Sequence, residues 1–376
     1  MENNQIIKCF GKDYQAMTEN LLRKAELEKE ILKKTGKPKE AIRIVIKPNL
    51  VAPVPACFGA TTHPELIEGL VLYLRENGFS DIVIAEGSWV GDSTEEAFEY
   101  CGYRDLEKRL NITLLDTKKE KSHLCSCSGM DLRVCDIVSS MDFLINVPVL
   151  KGHCQTKVTC ALKNMKGLIP DSEKRRFHSL GLHQPIAHLN TGIRQDFILV
   201  DDICGDPDFE EGGNPRNRNC IFAAKDPVLT DALACYELGW RPEDVPYIGL
   251  AEKLGAGKTT GEEIIVLCGK ESDAGTGRSG KILDVSYAVE DSDTCSACYS
   301  SLTEALLRLK EEGLSERIDF RIGIGQGMRG KSGEIGVGTC TSGFRRSVPG
   351  CPPDSETVCS FLKQIILKNE KAENGK

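Results

Sequence analysis

An alternation in the chain constrains its fold more than any other feature. Through the first two thirds, short runs of β-branched and aliphatic residues recur between amphipathic stretches, the pattern of parallel strands joined by crossover helices. The runs are Ile42 to Ile46, Ile82 to Ala85, Ile112 to Leu115, Phe143 to Val147, Phe197 to Val200, Cys220 to Ala224 and Ile264 to Leu267. Between the first two, Thr62 and Glu65 have capping-box spacing, Pro64 falls in a first turn and Gly78 follows the end, which together predict a helix. Asp226-Pro227 opens a second helix that Gly239 closes. The expected fold is α/β, built on a mostly parallel sheet.

A chain of 376 residues suits two domains. After Ile264 to Leu267 come thirteen residues of glycine, serine and charge, GKESDAGTGRSGK, with nothing to pack. They place a core domain at 1–268, a linker at 269–281 and a smaller α/β domain at 282–376. In the latter, strands are expected at Ile282 to Val285 and Ile318 to Ile322. A helix carries Leu302, Ala305, Leu306 and Leu309, and a terminal helix runs from Ser355 to Leu367.

The composition matters chiefly through its 17 cysteines. The polar start MENNQIIKCF lacks a secretory pattern, and no apolar run reaches the roughly 18 residues of a membrane helix. A cytoplasmic protein without membrane contact is expected, and reducing cytosol favours metal binding, catalysis or burial over disulfides. The net charge of -8 argues against a nucleic-acid partner.

Cys295 and Cys298 form C-x-x-C between an expected strand and helix, while Cys340 in GVGTCTSG and Cys351 in VPGCPPD lie in loops that bring bare backbone to a thiolate. Four thiolates in such loops suit an iron-sulfur cluster, whose potential responds to hydrogen bonds on its sulfurs. A structural zinc site, or cysteines merely buried or redox-active, are the alternatives. Cys359, among Val358, Phe361 and Leu362, reads as a small buried hydrophobe. The order strand, C-x-x-C, helix, Gly-x-Cys, Gly-Cys-Pro-Pro resembles the cluster module of nickel-iron hydrogenase small subunits and related quinone-reductase subunits. That resemblance implies one [4Fe-4S] cluster on Cys295, Cys298, Cys340 and Cys351. The eleven residues from Cys340 to Cys351 leave little room for an intervening strand, so the expected module is a trimmed one.

Gly325 to Ser332, GQGMRGKS, satisfies the P-loop pattern, yet GEIGVGTCTSG follows and cannot sustain the helix that a phosphate site needs. A nucleotide-dependent enzyme using this segment is therefore a lesser alternative. Gly255 to Lys258 follows an expected helix and reads as its stop.

Residues 151–194 hold eight Lys and Arg against two acids, with four of the six histidines, and begin where the run Phe143 to Val147 ends. Open α/β sheets place ligands at that carboxyl edge. Lys151, His153, Thr159, Lys163, Asn164 and Lys166 are interleaved there with little compensating charge, which suits a pocket for a small anion. A solvated basic loop answered by the acids of 196–211 is the plainer reading. His153, His178 and His183 with Asp201 or Asp202 lack tight metal-ligand spacing. Cys125, Cys127, Cys135, Cys154 and Cys160 likewise match no ligand pattern.

IVIKPNLV, THPELIEGLVLYLRENG, INVPVLKGH, VTCALKNMKG and RRFH resemble signature stretches of the domain-of-unknown-function 362 family. The resemblance implies an α/β domain associated with cluster chemistry and anaerobic metabolism, without a settled reaction. It carries Lys47, Asn49, Lys151, His153, Lys163, Asn164 and His178 over as pocket residues; the C-x-x-C-x-x-C insert of many members is missing here. The resulting expectation is an iron-sulfur oxidoreductase that passes single electrons between the cluster and an anion in the crevice. Lys151, Lys163 and Lys166 would neutralise that anion, with Lys47, Asn49 and Thr159 beside them, His153 or His178 would move a proton, and Asn164 would orient it. A redox partner protein is implied. The alternative is an electron-transfer or scaffold protein that docks an acidic partner through the basic segment and has no substrate of its own.

Overall fold

The structure, a computed structural model, describes residues 1–261, 263–270, 280–282 and 284–373. The chain forms two compact units, Met1–Arg278 and Ser279–Lys376. Most of the linker expected at 269–281 lies outside the described residues.

The first unit is built on an eight-stranded sheet. Its strands are β1 (Gln5–Phe10), β2 (Arg43–Pro48), β3 (Asp81–Glu86) and β4 (Thr113–Asp116), then, after the hairpin β5 (Ser122–Cys127) and β6 (Met130–Cys135), β7 (Phe143–Val147). A second hairpin, β8 (Lys151–His153) and β9 (Lys157–Thr159), precedes β10 (Phe197–Gly205), β11 (Arg216–Ala224) and β12 (Glu263–Cys268). The sheet order is β12-β1-β11-β10-β7-β2-β3-β4, with only β11 antiparallel to its neighbours β1 and β10. Every strand expected from the sequence in this unit is present, while β1 and the two hairpins were not anticipated. The run Phe143 to Val147 coincides with β7 because all five of its residues are buried, as in a parallel strand covered on both faces.

Period-two alternation divides the core. Ile44, Ile46, Ile82 and Ile84 face α1 (Tyr14–Lys24), α2 (Leu27–Thr35), α3 (Pro64–Glu76), α4 (Thr94–Tyr100) and α5 (Tyr103–Leu110). Val45, Val83 and Leu144 face α6 (Ile137–Ser140), α7 (Ala161–Asn164), α8 (Asp171–Leu180), α9 (His183–Gly192), α10 (Pro227–Glu237) and α11 (Pro246–Lys253). Asp226 caps α10 as expected, accepting from the backbone N–H groups of Val228 and Leu229 at 2.8 and 3.0 Å. The capping box at α3 does not form. His63 is the N-cap, and the Thr62 hydroxyl instead donates to the Val147 carbonyl and accepts from the Asn49 N–H, tying β7 to the loop after β2. Gly255, at φ +80°, stops α11.

Cys9 and Cys268, register partners on β1 and β12, are disulfide-bonded, against the expectation of unpaired thiols; the other fifteen cysteines form no disulfide. Of the five considered as a second cluster, Cys127, Cys135 and Cys160 are core residues. No helix among the described residues is long and apolar enough to cross a membrane.

The second unit is a four-stranded parallel sheet in chain order, β13 (Val289–Asp291), β14 (Ile322–Ile324), β15 (Ile335–Val337) and β16 (Arg346–Val348). Helices α12 (Ser296–Glu311) and α13 (Ser355–Glu373) bury Leu302, Leu306, Leu309, Val358, Leu362 and Ile365. Three expectations are corrected. The strand expected at Ile318 to Ile322 begins only at Ile322, after a 3-10 turn at Ser315–Arg317. Ile282 and Val285 close a turn, with the Val285 N–H donating to the Ile282 carbonyl at 3.1 Å, and the strand begins later, at Val289. The interval from Cys340 to Cys351 does contain a strand, the three residues of β16, because a short 3-10 turn at Thr339–Thr341 reverses the chain quickly.

Candidate functional site

Parallel strands that end at one edge gather their following loops there. In the first unit, Lys47 near the end of β2, Glu86 at the end of β3, the turn after α7, helix α8 and the loop before β11 enclose a cavity of about 70 Å³. It is lined by Lys47, Asn49, Glu86, Trp89, Thr159, Lys163, Asn164, Lys166, Gly167, Lys174, His178 and Glu210, among others. The strand order reverses beside β2, between β7 and β3, so this is the switch-point crevice of an open α/β sheet.

The cavity is organised by buried ion pairs. Lys47 Nζ lies 2.8 Å from Glu86 Oε2, with both side chains buried. Glu86 also accepts the backbone N–H groups of Leu50 and Gly87, each at 2.7 Å. Burial lowers the Lys47 ammonium, with Glu86 opposing. A β-carbon on Gly167 would stand 2.1 Å from Glu86 Oε1 and 2.3 Å from Lys47 Cε, so only glycine lets the 3-10 turn close over this pair. Lys163 pairs with Glu210, whose other oxygen lies 3.1 Å from His153 Nε2. Burial pushes the Glu210 carboxyl up, but His153, Lys163 and Lys166 outweigh it and hold it well below the usual range. Lys174 donates to the carbonyls of Gly87 and Ser88 at 3.0 and 2.8 Å and to Asp171.

Of the nine crevice residues expected from the sequence, Lys47, Asn49, Thr159, Lys163, Asn164, Lys166 and His178 line this cavity. Lys151 and His153 lie behind it. Lys151 donates to Asn49 Oδ1 and the Glu210 carbonyl, each at 2.8 Å, and to the Ala60 carbonyl, so it positions Asn49 and does not face a ligand. Burial pushes its ammonium down to about 7, with Glu210 opposing. His153 Nδ1 accepts the N–H groups of Gln155 and Thr156 at 3.0 Å each, which leaves the proton on Nε2, shared with Glu210. Burial holds its pKa at about 4, so His153 is a neutral prop for Glu210, and the proton-transfer role expected for it does not follow from this geometry. Asn164 is also committed inward, accepting from Asn49 Nδ2 at 2.8 Å and donating to Asn146 Oδ1 at 2.7 Å.

Three lining groups face the cavity uncommitted. The Thr159 hydroxyl is buried without a hydrogen-bond partner. Neither Lys166 nor His178 is held by a hydrogen bond or ion pair among the described residues. Burial, then Lys163, pushes Lys166 down to about 7, and burial, then Lys166, pushes His178 down to about 4. Sequence reasoning missed Glu86, Lys174, Glu210 and half-exposed Trp89. The available signal for Glu86 was an acid ending an apolar strand, and for Glu210 the acidic stretch already set against the basic one. The proposed metal partners of the histidines are engaged elsewhere, Asp201 with His63 at 2.8 Å and Asp202 with Arg218 at 3.0 Å.

In the second unit the same edge logic acts on cysteine. Cys295 N-caps α12 after β13, Cys298 lies in its first turn, Cys340 follows β15 and Cys351 follows β16. Burial pushes the Cys298 thiol up to about 11, helped by Cys295, Cys351 and Cys340 close by. Gln326 Nε2 donates to Cys295 Sγ at 3.2 Å and Arg329 Nε to Cys340 Sγ at 3.4 Å. Among the described residues no three His, Cys, Asp or Glu are grouped to hold a metal ion. At the P-loop-like segment, a 3-10 turn at Gln326–Met328 and the strand β15 flank Lys331 and Ser332, and no helix starts there.

A thylakoid-associated protein of Synechocystis sp. is 24% identical over 231 residues, 58% of this chain and 70% of that protein. The lactate racemase apoprotein of Thermoanaerobacterium thermosaccharolyticum is similar with a TM-score of 0.38 and 15% identity, over 58% of this chain. The chain spans 54% of the length of that racemase. The profile of the family described as domain of unknown function DUF362 matches residues 44–236, which include every residue lining the crevice. That match covers just over half of the sequence, and the chain belongs to the DUF362 family.

Proposed function

We propose that this protein is an iron-sulfur oxidoreductase, or the electron-delivering component of one, with a [4Fe-4S] cluster on Cys295, Cys298, Cys340 and Cys351 and a small anion in the crevice of the first unit. What supports the reading is the placement of Cys295, Cys298, Cys340 and Cys351, all of which follow the carboxyl ends of strands β13, β15 and β16 in one parallel sheet. A cubane binds each thiolate to a separate iron and so takes a more open donor set than a single ion does. Gln326 and Arg329 donate to Cys295 Sγ and Cys340 Sγ and would tune such a centre through those hydrogen bonds. When bound, the cluster supplies one-electron transfer.

The rest of the chemistry falls to side chains of this chain. Lys163 and Lys166 draw an anion inward, Thr159 offers it a hydroxyl, and His178 is a neutral imidazole able to take a proton. Docking an acidic partner through the basic segment is less well supported, because Lys151, Lys163 and Lys174 are buried and point inward. Exposed Cys351 marks the edge that a protein redox partner would approach. Fifteen cysteines outside any disulfide, against the single bond of Cys9 and Cys268, suit a reducing compartment such as the cytoplasm.

The test is metal and acid-labile sulfide analysis of anaerobically purified protein, with EPR before and after dithionite. Iron and sulfide in equal amounts with a reducible signal, lost in Cys351→Ser, support the reading. Zinc without iron overturns it.

A further inference from the structure

The crevice holds four lysines, and three are committed. Lys47 is paired with Glu86, Lys163 with Glu210, and Lys174 with two carbonyls and Asp171. The Lys166 side chain enters the same cavity with no hydrogen bond or ion pair among the described residues. A lysine that served only as a fixed charge would be expected to have an acceptor, as its neighbours do. The same cavity is lined by Thr159, whose hydroxyl has no partner, and by His178. The free volume, about 70 Å³, has room for about five waters, close to the bulk of a three-carbon acid.

We propose that Lys166 is a nucleophilic amine that forms an imine with the carbonyl carbon of a small α-oxo acid, whose carboxylate accepts from the Thr159 hydroxyl. This rests on the reading of the crevice as an anion site and names the class of anion. The amine nitrogen adds to the carbonyl carbon and a C–N bond forms. Both amine protons pass to the carbonyl oxygen, with His178 placed to relay them, and the oxygen leaves as water as C=N forms. No electrons are gained or lost. Burial and the charge of Lys163 disfavour the ammonium of Lys166, which leaves a large share of it as free amine at neutral pH.

The test uses the full chain with pyruvate or glyoxylate and sodium cyanoborohydride, followed by peptide mapping by mass spectrometry. Reductive labelling at Lys166 should exceed that at the surface lysines by roughly tenfold or more, following its larger free-amine fraction, and should exceed that at Lys151, which is pushed down equally but is committed to Asn49 and two carbonyls behind the cavity. Excess oxalate, a dianion without a reactive carbonyl, should suppress it, and Lys166→Arg should abolish it. Labelling spread evenly over surface lysines, or unchanged in Lys166→Arg, overturns the proposal. Oxalate binding is measured in parallel by calorimetry on the wild type and Thr159→Val. If oxalate binds, weakens in Thr159→Val and no imine is trapped, the nucleophile is wrong and the anion site stands. If oxalate does not bind and nothing is trapped, both fall.

Discussion

The crevice and the cysteine edge occupy the same topological position, the carboxyl ends of parallel strands, and solve opposite problems there. In the crevice, the charged groups other than Lys166 neutralise one another before any ligand arrives. Lys47 holds Glu86, and Glu210 is shared by Lys163 and His153, so removal from water is offset within the protein. At the cysteine edge the four thiols have two side-chain donors between them, and one of the four is exposed. The first site is preorganised by its own pairs, while the second, on the proposed reading, would be completed by a metal centre. Perturbations should therefore cost folding stability in the first unit and metal content in the second.

The largest effect is expected where the crevice is most self-reliant. Glu86→Gln keeps the shape but leaves Lys47 buried without its counter-charge, and loss of one partner of a buried pair costs about 3–5 kcal/mol. Urea unfolding monitored at the two tryptophans, Trp89 and Trp240, both in the first unit, measures it. A loss below about 1 kcal/mol, as for a surface pair, would show that water reaches the pair and that preorganisation is overstated.

Acid should separate the units next, because both histidines that burial pushes down lie in the first. His153 and His178 are pushed down to about 4, chiefly by burial, below the ordinary value near 6.5. The unfolded chain then binds protons that the folded unit refuses. Their contribution is complete above pH ~6.5 and is lost as pH falls towards ~4, at up to about 1.4 kcal/mol per pH unit for each histidine. Urea midpoints across that range should fall more gently in His153→Gln than in the wild type. Equal slopes would show that His153 titrates normally.

A smaller effect of opposite sign is expected at Thr159. Its buried hydroxyl lacks a partner, so Thr159→Val should raise stability by about 1 kcal/mol while weakening oxalate binding. A variant that is more stable and binds less well marks a group kept for a ligand. Lower stability with unchanged binding would make Thr159 an ordinary packing residue.

How much of this was legible follows from the range of the interactions. The run Phe143 to Val147 was readable because burial on both faces writes a continuous apolar segment, and the carboxyl-edge position of the basic segment followed from it. Seven of the nine expected crevice residues line the cavity, six because they sit in two short stretches that the sheet brings together, and His178 because α8 closes over them. Sequence does not show which lysines are spent. Lys47 meets Glu86 across 39 residues and Lys163 meets Glu210 across 47, so the free amine of Lys166 emerges only by subtraction in the fold. The reading of a basic loop answered by an acidic one was also right in part, since Glu210 is such an answer. Strand β16 was missed for a related reason, as three residues are too few to write a period.

The smallest stability effect should fall at Cys351, and its smallness is the point. The residue is exposed, and an exposed substitution away from a cap or core usually changes stability by less than about 0.5 kcal/mol. Metal-free Cys351→Ser should therefore unfold in urea with the metal-free wild type, while the anaerobically prepared variant loses iron. If the metal-free variant instead loses several kcal/mol, the thiol is already a packing element of the folded unit. The cysteine edge would then be as self-sufficient as the crevice, and the contrast between a site that neutralises itself and one that waits for metal would fail at the residue where it is easiest to measure.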